Sequence, residues 1–136
     1  MTSLSNDAFA DQPLVAIVDD EPDVRRGLDR FIRSLELDTR LYASAEEVLE
    51  DAELLAAVVC LVSDVQMPRM SGLDLQMALR ARNYSFPVIF VTAYPDESLE
   101  ARAMAQGAFA FFGKPFDTDV FAATLLRAIG REPAPF

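Results

Sequence analysis

The chain has 136 residues, 51% apolar and 25% charged, with 22 acidic against 12 basic side chains and a formal net charge of −10. That is the length of one domain with a full core, and the composition excludes a disordered polyampholyte and a disulfide-stapled miniature. The absence of histidine excludes imidazole metal sites, Ser-His-Asp or Cys-His catalysis and a phosphohistidine relay within this chain, while the acidic balance disfavours direct contact with nucleic acid or anionic lipid.

Residues 1 to 12 are polar, small and aperiodic and read as an N-terminal tail. They lack the basic and apolar blocks of a secretory signal, and no apolar stretch of membrane-spanning length follows, so a cytoplasmic protein without membrane contact is expected. The apolar run Leu14 to Val18 predicts a first strand, closed by Asp19-Asp20. Pro22 then stands where a first helical turn tolerates it, and Val24, Leu28, Ile32 and Leu35 recur at helical spacing. Residues 38 to 42 form a short second strand, after which Ser44 and Glu47 make a capping box for one helix carrying Ala45, Val48, Leu49 and Ala52. Val58 to Ser63 predicts a third strand closed by Asp64. Within it Cys60, the lone cysteine, reads as small core filler; it excludes an internal disulfide and fits a reducing compartment.

After the turn Met67 to Gly72, a third helix runs to about Arg82, and Pro87 to Thr92 supplies the fourth strand. The fourth helix, from about Asp96 to Gln106, is Ala-rich with a weak apolar stripe and stops at Gly107. Phe109 to Gly113 is the fifth strand. Asp117 or Thr118 caps a last helix in which Val120, Phe121, Thr124, Leu125 and Ala128 share a face, and Gly130 ends it. Residues 131 to 136 carry two prolines and read as a C-terminal tail, leaving residues 13 to 130 as the domain.

Apolar strands alternating with amphipathic helices imply an α/β fold, a parallel sheet covered on both faces with right-handed crossovers. In such a sheet the reactive site lies beyond the carboxyl ends of the strands. Strand one ends in Asp19-Asp20, strand three in Asp64 and strand four in Thr92, and strand five is followed by Lys114-Pro115; strand two ends in Tyr42 with nothing ionic. Three carboxylates at one mouth repel unless they share a cation, and hard oxygen ligands with room for water describe a Mg²⁺ site. A solvated strand-end acid or a helix cap explains any one of these residues, but not the coincidence of all five. Lys114 is also the only lysine against eleven arginines, and a compact ammonium approaches a carboxylate or phosphate oxygen as a point charge, which a guanidinium does not.

Together, Asp19-Asp20, Ser63-Asp64-Val65-Gln66-Met67-Pro68 with Ser71-Gly72, Val91-Thr92-Ala93 and Lys114-Pro115-Phe116 resemble the receiver domain of two-component response regulators, over nearly all of residues 13 to 130. The loop Met67 to Gly72 and the segment Arg102 to Ala108 are most similar to receivers of the nitrogen-fixation regulator type. The resemblance implies a flavodoxin-like, doubly wound five-stranded sheet in order 2-1-3-4-5 with five helices. It makes Asp64 the phospho-accepting aspartate, and Asp20, Asp64 and the backbone carbonyl of Gln66 direct ligands of Mg²⁺, with Asp19 holding the ion through water. Thr92 and Lys114 become contacts of the phosphoryl oxygens, the Lys114–Pro115 bond is expected cis, and Phe111 aligns with the switch aromatic, with core packing as the alternative. The implied phosphodonor is a histidine kinase or phosphotransfer protein. The output partner would be a protein reading the face of the fourth helix, fifth strand and last helix, and a phosphorylation-dependent homodimer stays open. The chain would then be a phosphoryl acceptor that assists its own phosphorylation and dephosphorylation, rather than an enzyme acting on a separate substrate.

Gln66 and Tyr94 each lie two positions beyond a site residue and border the path of an attacking water; Gln66 would orient that water and the Tyr94 ring would shield the phosphoryl group, unless it points to solvent or packs on the fourth helix. Three functional readings compete. A stand-alone receiver is preferred, because the residues after Gly130 offer no long linker. The second is the receiver part of a longer DNA-binding transcriptional regulator. A Mg²⁺-dependent aspartyl-phosphate phosphatase ranks last, since it wants its two acids two positions apart rather than adjacent, and a cap domain besides.

Overall fold

The computed structural model describes residues 12 to 131, so the two expected tails, apart from Gln12 and Arg131, lie outside the described residues. Strands and helices alternate as β1 (Leu14–Val18), α1 (Pro22–Arg33), β2 (Asp38–Tyr42), α2 (Ala45–Glu50), α3 (Ala52–Ala57), β3 (Cys60–Ser63), α4 (Gly72–Ala81), β4 (Val88–Thr92), α5 (Glu97–Ala105), β5 (Ala110–Gly113) and α6 (Thr118–Ala128). The strands form one parallel sheet in the order β2-β1-β3-β4-β5, the doubly wound arrangement expected from the sequence.

Because successive strand side chains point to opposite faces, each buried strand feeds two cores. Ala16, Val18, Leu61, Val88 and Phe90 face one layer, where they meet Leu54, Leu73, Leu75, Leu79 and Ala103. Val15, Ile17, Val62, Ile89 and Val91 face the other, against Leu28, Ile32, Phe121 and Leu125. Burying each such aliphatic or aromatic side chain contributes about 1.5–3 kcal/mol. The second layer has an aromatic knot: the Phe121 ring lies 4.9 Å from that of Phe116, 5.3 Å from that of Phe112 and 6.0 Å from that of Phe31. β2 departs from the all-apolar pattern. It is an edge strand, and Asp38, Arg40 and Leu41 are exposed while Thr39 and Tyr42 are buried.

The single helix expected from Ser44 through Ala52 is two short helices, making six helices among the described residues rather than five. Asp51 leaves the helical region at φ −99° and ψ 85°, and its carboxylate restarts the chain as a cap by accepting from Leu54 N at 3.0 Å. The apolar spacing is continuous across this break, so periodicity alone joins the two helices. α5 buries only Ala103, in keeping with its weak stripe, and Gly107 just beyond it takes a positive φ of 97°.

Two glycines set the geometry around the strand ends. A Cβ on Gly72 would stand 2.1 Å from the carbonyl oxygen of Asp64 and 2.9 Å from the Phe90 ring, so only glycine lets the first turn of α4 press against the end of β3. A Cβ on Gly113 would meet Pro95 at 2.6 Å, which lays the β4–α5 loop directly over the end of β5.

Candidate functional site: an acidic cleft at the strand ends

The sheet ladder carries on one residue past three strands. Asp19 N donates to Tyr42 O at 3.1 Å, Asp64 N to Val18 O at 3.1 Å and Lys114 N to Thr92 O at 2.8 Å. These bonds hold the backbones of Asp19, Asp64 and Lys114 at one edge of the sheet, so chain-distant residues converge there because the strands are parallel. Carboxylate oxygens of Asp19, Asp20 and Asp64 lie within 4.8 Å of one another. Beside them opens a cleft of about 130 Å³, lined by Asp20, Glu21, Asp64, Gln66, Thr92, Ala93 and Tyr94.

The three acids differ in surroundings. Asp19 is buried; its Oδ1 accepts from Glu21 N at 2.9 Å and its Oδ2 lies 3.5 Å from Lys114 Nζ. Asp20 is exposed at the cleft wall. Asp64 is half-buried, and loss of water together with the Asp19 charge pushes its carboxyl up to about 6, against the pull of Lys114 and of the backbone N–H groups of Val65 and Gln66. Ser63 Oγ donates to the Asp64 carbonyl at 2.8 Å, securing the backbone that presents this side chain.

Thr92 ends β4 almost fully buried, and its hydroxyl accepts from Tyr94 N at 3.3 Å. Lys114 reaches across from the end of β5, with its side chain only 20% exposed, and the Lys114–Pro115 bond is cis as expected. Gln66 lines the cleft. Tyr94 borders it too, but 73% of the residue is exposed, so the ring stands in solvent instead of covering Asp64. Phe111 sits half-buried in β5, paired in register with Phe90 and with the two rings 6.4 Å apart.

All of the acids, Thr92 and Lys114 read from the sequence are therefore brought to one mouth. Sequence reasoning missed Glu21, whose amide orients Asp19, and Arg25, whose guanidinium donates to the Asp19 carbonyl at 2.7 Å. The signal for Arg25 was its place one helical turn beyond Glu21. The donor set is oxygen only, carries excess negative charge and opens to water, which fits a small hard divalent cation and not a soft or imidazole-preferring one.

A parallel doubly wound sheet with this strand-end constellation defines a receiver, and the model of the response regulator receiver domain matches residues 15–126; the chain belongs to that family. Among individual proteins, it is 43% identical over 102 residues to the transcriptional regulatory protein TdiR of Thauera aromatica, a match covering 75% of this chain and 44% of that one. It is 39% identical over 113 residues to the DNA-binding transcriptional regulator NtrC of Klebsiella pneumoniae, covering 83% of this chain and 24% of that one. The crystal structure of FixJ-N superposes with a TM-score of 0.78 at 32% identity, covering 91% of this chain and 98% of that one. These likenesses agree with the nitrogen-fixation type read from the Met67 to Gly72 loop. The chain spans about half the length, or less, of the regulators it matches. Among the described residues no helix is long and apolar enough to cross a membrane.

Proposed function

We propose that this chain is the phospho-accepting receiver of a two-component transcriptional regulator, and that Asp64 takes the phosphoryl group. The observation that carries the reading is Asp64 lining the cleft, grouped with two further carboxylates and close enough to Lys114, at the end of β5, to feel its charge. In the transfer, an Asp64 carboxylate oxygen forms the bond to phosphorus while the P–N bond to the imidazole of a histidine kinase or phosphotransfer protein breaks, and the imidazole leaves with the bonding pair and takes up a proton. Asp20, Asp64 and the Gln66 carbonyl would hold Mg²⁺, with Asp19 acting through water, and the ion would supply neutralising charge at the phosphoryl oxygens.

The chain's own residues do the rest. Lys114, already held near Asp19, offers its ammonium to a phosphoryl oxygen, and Thr92 offers its hydroxyl. Drawing Thr92 toward the phosphate changes the space beside β5, and Phe111 is the ring placed to respond. Met104, Phe109 and Val120 expose apolar surface on α5, the approach to β5 and α6, with the Arg127 guanidinium 5.7 Å from the Phe109 ring centre. That face suits a protein partner whose binding follows the state of Asp64. The likeness to TdiR and NtrC favours the receiver part of a longer DNA-binding regulator over the stand-alone receiver expected from the sequence. A cytoplasmic setting fits this role, and the chain acts as a phosphoryl acceptor and not as an enzyme on a separate substrate.

The test is mass spectrometry after incubation with Mg²⁺ and acetyl phosphate or phosphoramidate. The wild type should gain one phosphoryl group and Asp64→Asn none; an unchanged wild type, or an equal gain in the variant, overturns the assignment.

A further inference from the structure

We infer that Arg25 is a positioning residue for the cation site: by clamping the peptide between Asp19 and Asp20 it aims Asp20 without touching it. The inference rests on the reading of Asp20 as a metal ligand. Asp20 is exposed, and no hydrogen bond of its side chain is present among the described residues. The direction in which its Cα–Cβ bond leaves the backbone is set by the peptide planes on either side, which meet at its φ and ψ, and from that bond the side-chain rotamers reach the cleft.

Both planes are held by other residues. The carbonyl of the first belongs to Asp19 and accepts from Arg25 Nη1 at 2.7 Å; the N–H of the second belongs to Glu21 and donates to Asp19 Oδ1 at 2.9 Å. Asp19 is in turn fixed by its amide on Tyr42 O and by Lys114. Arg25 itself rides on α1, where its amide donates to Glu21 O at 3.0 Å, so the clamp closes on the rigid first turn of a helix.

The choice of acceptor distinguishes a positioning role from plain charge balance. Five acids, Asp19, Asp20, Glu21, Asp23 and Asp29, surround Arg25 in sequence, yet among the described residues it forms no ion pair and spends its guanidinium on a carbonyl. Its neighbour Arg26 pairs with Asp23 at the exposed surface. An arginine bound to Asp20 itself would neutralise the ligand and compete with the cation. Bound to the carbonyl one residue earlier, it leaves both Asp20 oxygens free.

The experiment compares wild type, Arg25→Met, Arg25→Lys and Arg26→Met by calorimetric titration with Mg²⁺ alone, and by amide hydrogen exchange at Glu21 in metal-free protein. Arg25→Met should weaken Mg²⁺ binding about tenfold, the usual scale for a residue that orients a metal ligand. It should also speed Glu21 exchange about tenfold, because freeing the Asp19 carbonyl lets the corner move and loosens the Glu21 N–H to Asp19 Oδ1 bond. Arg25→Lys keeps one donor and should fall between, and Arg26→Met should match wild type. Where the methionine variant does not fold, Arg25→Gln takes its place, with a polar stem too short to reach the carbonyl. Wild-type affinity in Arg25→Met, or an equal loss in Arg26→Met, overturns the inference, as does unchanged exchange at Glu21. Wild type that binds no Mg²⁺ would instead remove the reading of Asp20 as ligand, while the exchange comparison still decides whether Arg25 clamps the corner.

Discussion

At the carboxyl end of β2, Asp51 has a partner for each oxygen: Oδ2 accepts from the Tyr42 hydroxyl at 2.6 Å and lies 3.8 Å from Arg40, and Oδ1 accepts from Leu54 N at 3.0 Å. The Tyr42 hydrogen bond, followed by that from Leu54, holds the Asp51 carboxyl below its usual range, while burial and then Asp51 push the Tyr42 phenol up to about 12. At the carboxyl ends of β1 and β3, three carboxylates face the single ammonium of Lys114, and Asp64 is pushed up to about 6. Both clusters close parallel strands of one sheet. The first is satisfied internally, ties β2 to the break between α2 and α3, and leaves no charge to spend. The second is short of positive charge, and burial together with the Asp19 charge, rather than a partner, sets the Asp64 carboxyl.

The largest expected effect tests that deficit directly. Asp20→Asn should weaken Mg²⁺ binding about 100-fold and Asp19→Asn about tenfold, since Asp19 is already paired with Lys114 and acts from behind. Calorimetric titration reads both, and the reverse order would exchange their roles.

Next comes the cost of the mouth to folding. The Asp64 carboxyl rises from 3.8 to about 6 on folding, so the folded state binds the extra proton between those values and the metal-free protein loses stability as pH rises through that window. Asp64→Asn should accordingly stabilise metal-free protein by about 1–2 kcal/mol near pH 8, a figure discounted for solvent screening in a half-open cleft, and by almost nothing near pH 3, below both values. Thermal melts at both pH values check it; a gain that is equal at both would mean that charge repulsion is not its source.

The satisfied cluster should respond with the opposite sign. Tyr42→Phe removes the phenol hydrogen bond and should lower the melting temperature by about 3–5 °C at neutral pH, with Mg²⁺ affinity unchanged. If affinity falls as well, the two clusters are coupled through β1 and the contrast between them fails.

The smallest effects concern the rim of the cleft. With its ring in solvent, Tyr94→Ala should change the decay of the phosphorylated protein by less than about twofold, because an exposed ring excludes little water. Gln66→Ala should slow decay by a few-fold, through loss of an amide placed to orient that water. Intact-mass time courses separate them. Much faster decay in Tyr94→Ala would show that the ring closes over the phosphoryl group once it is present.

The alternation of strands and helices, the parallel sheet and the acids at its mouth were legible in the linear chain, because unbroken apolar runs mark strands buried on both faces and a polar residue ends such a run where the sheet meets water. Asp19, Asp20, Asp64, Thr92 and Lys114 stand at those run ends, so a rule about strand termini finds them without coordinates. The break at Asp51 was not legible, since neither glycine nor proline marks it and the apolar spacing continues through it.

Element order along the chain and the identity of the charged groups were thus determined by the sequence itself, through patterns that neighbouring residues carry together, while the order of strands in the sheet was implied by the resemblance to receivers. The tertiary structure alone decided which acid is satisfied and which is pushed up by its neighbours, where Arg25 spends its charge, why residue 72 must lack a side chain and that Tyr94 is exposed at the cleft rim. Each of these depends on distances of a few ångströms between segments far apart in the chain, and on how much water remains between them. Hydrogen-bond energies and desolvation change steeply over such distances, and no local pattern of residues encodes them.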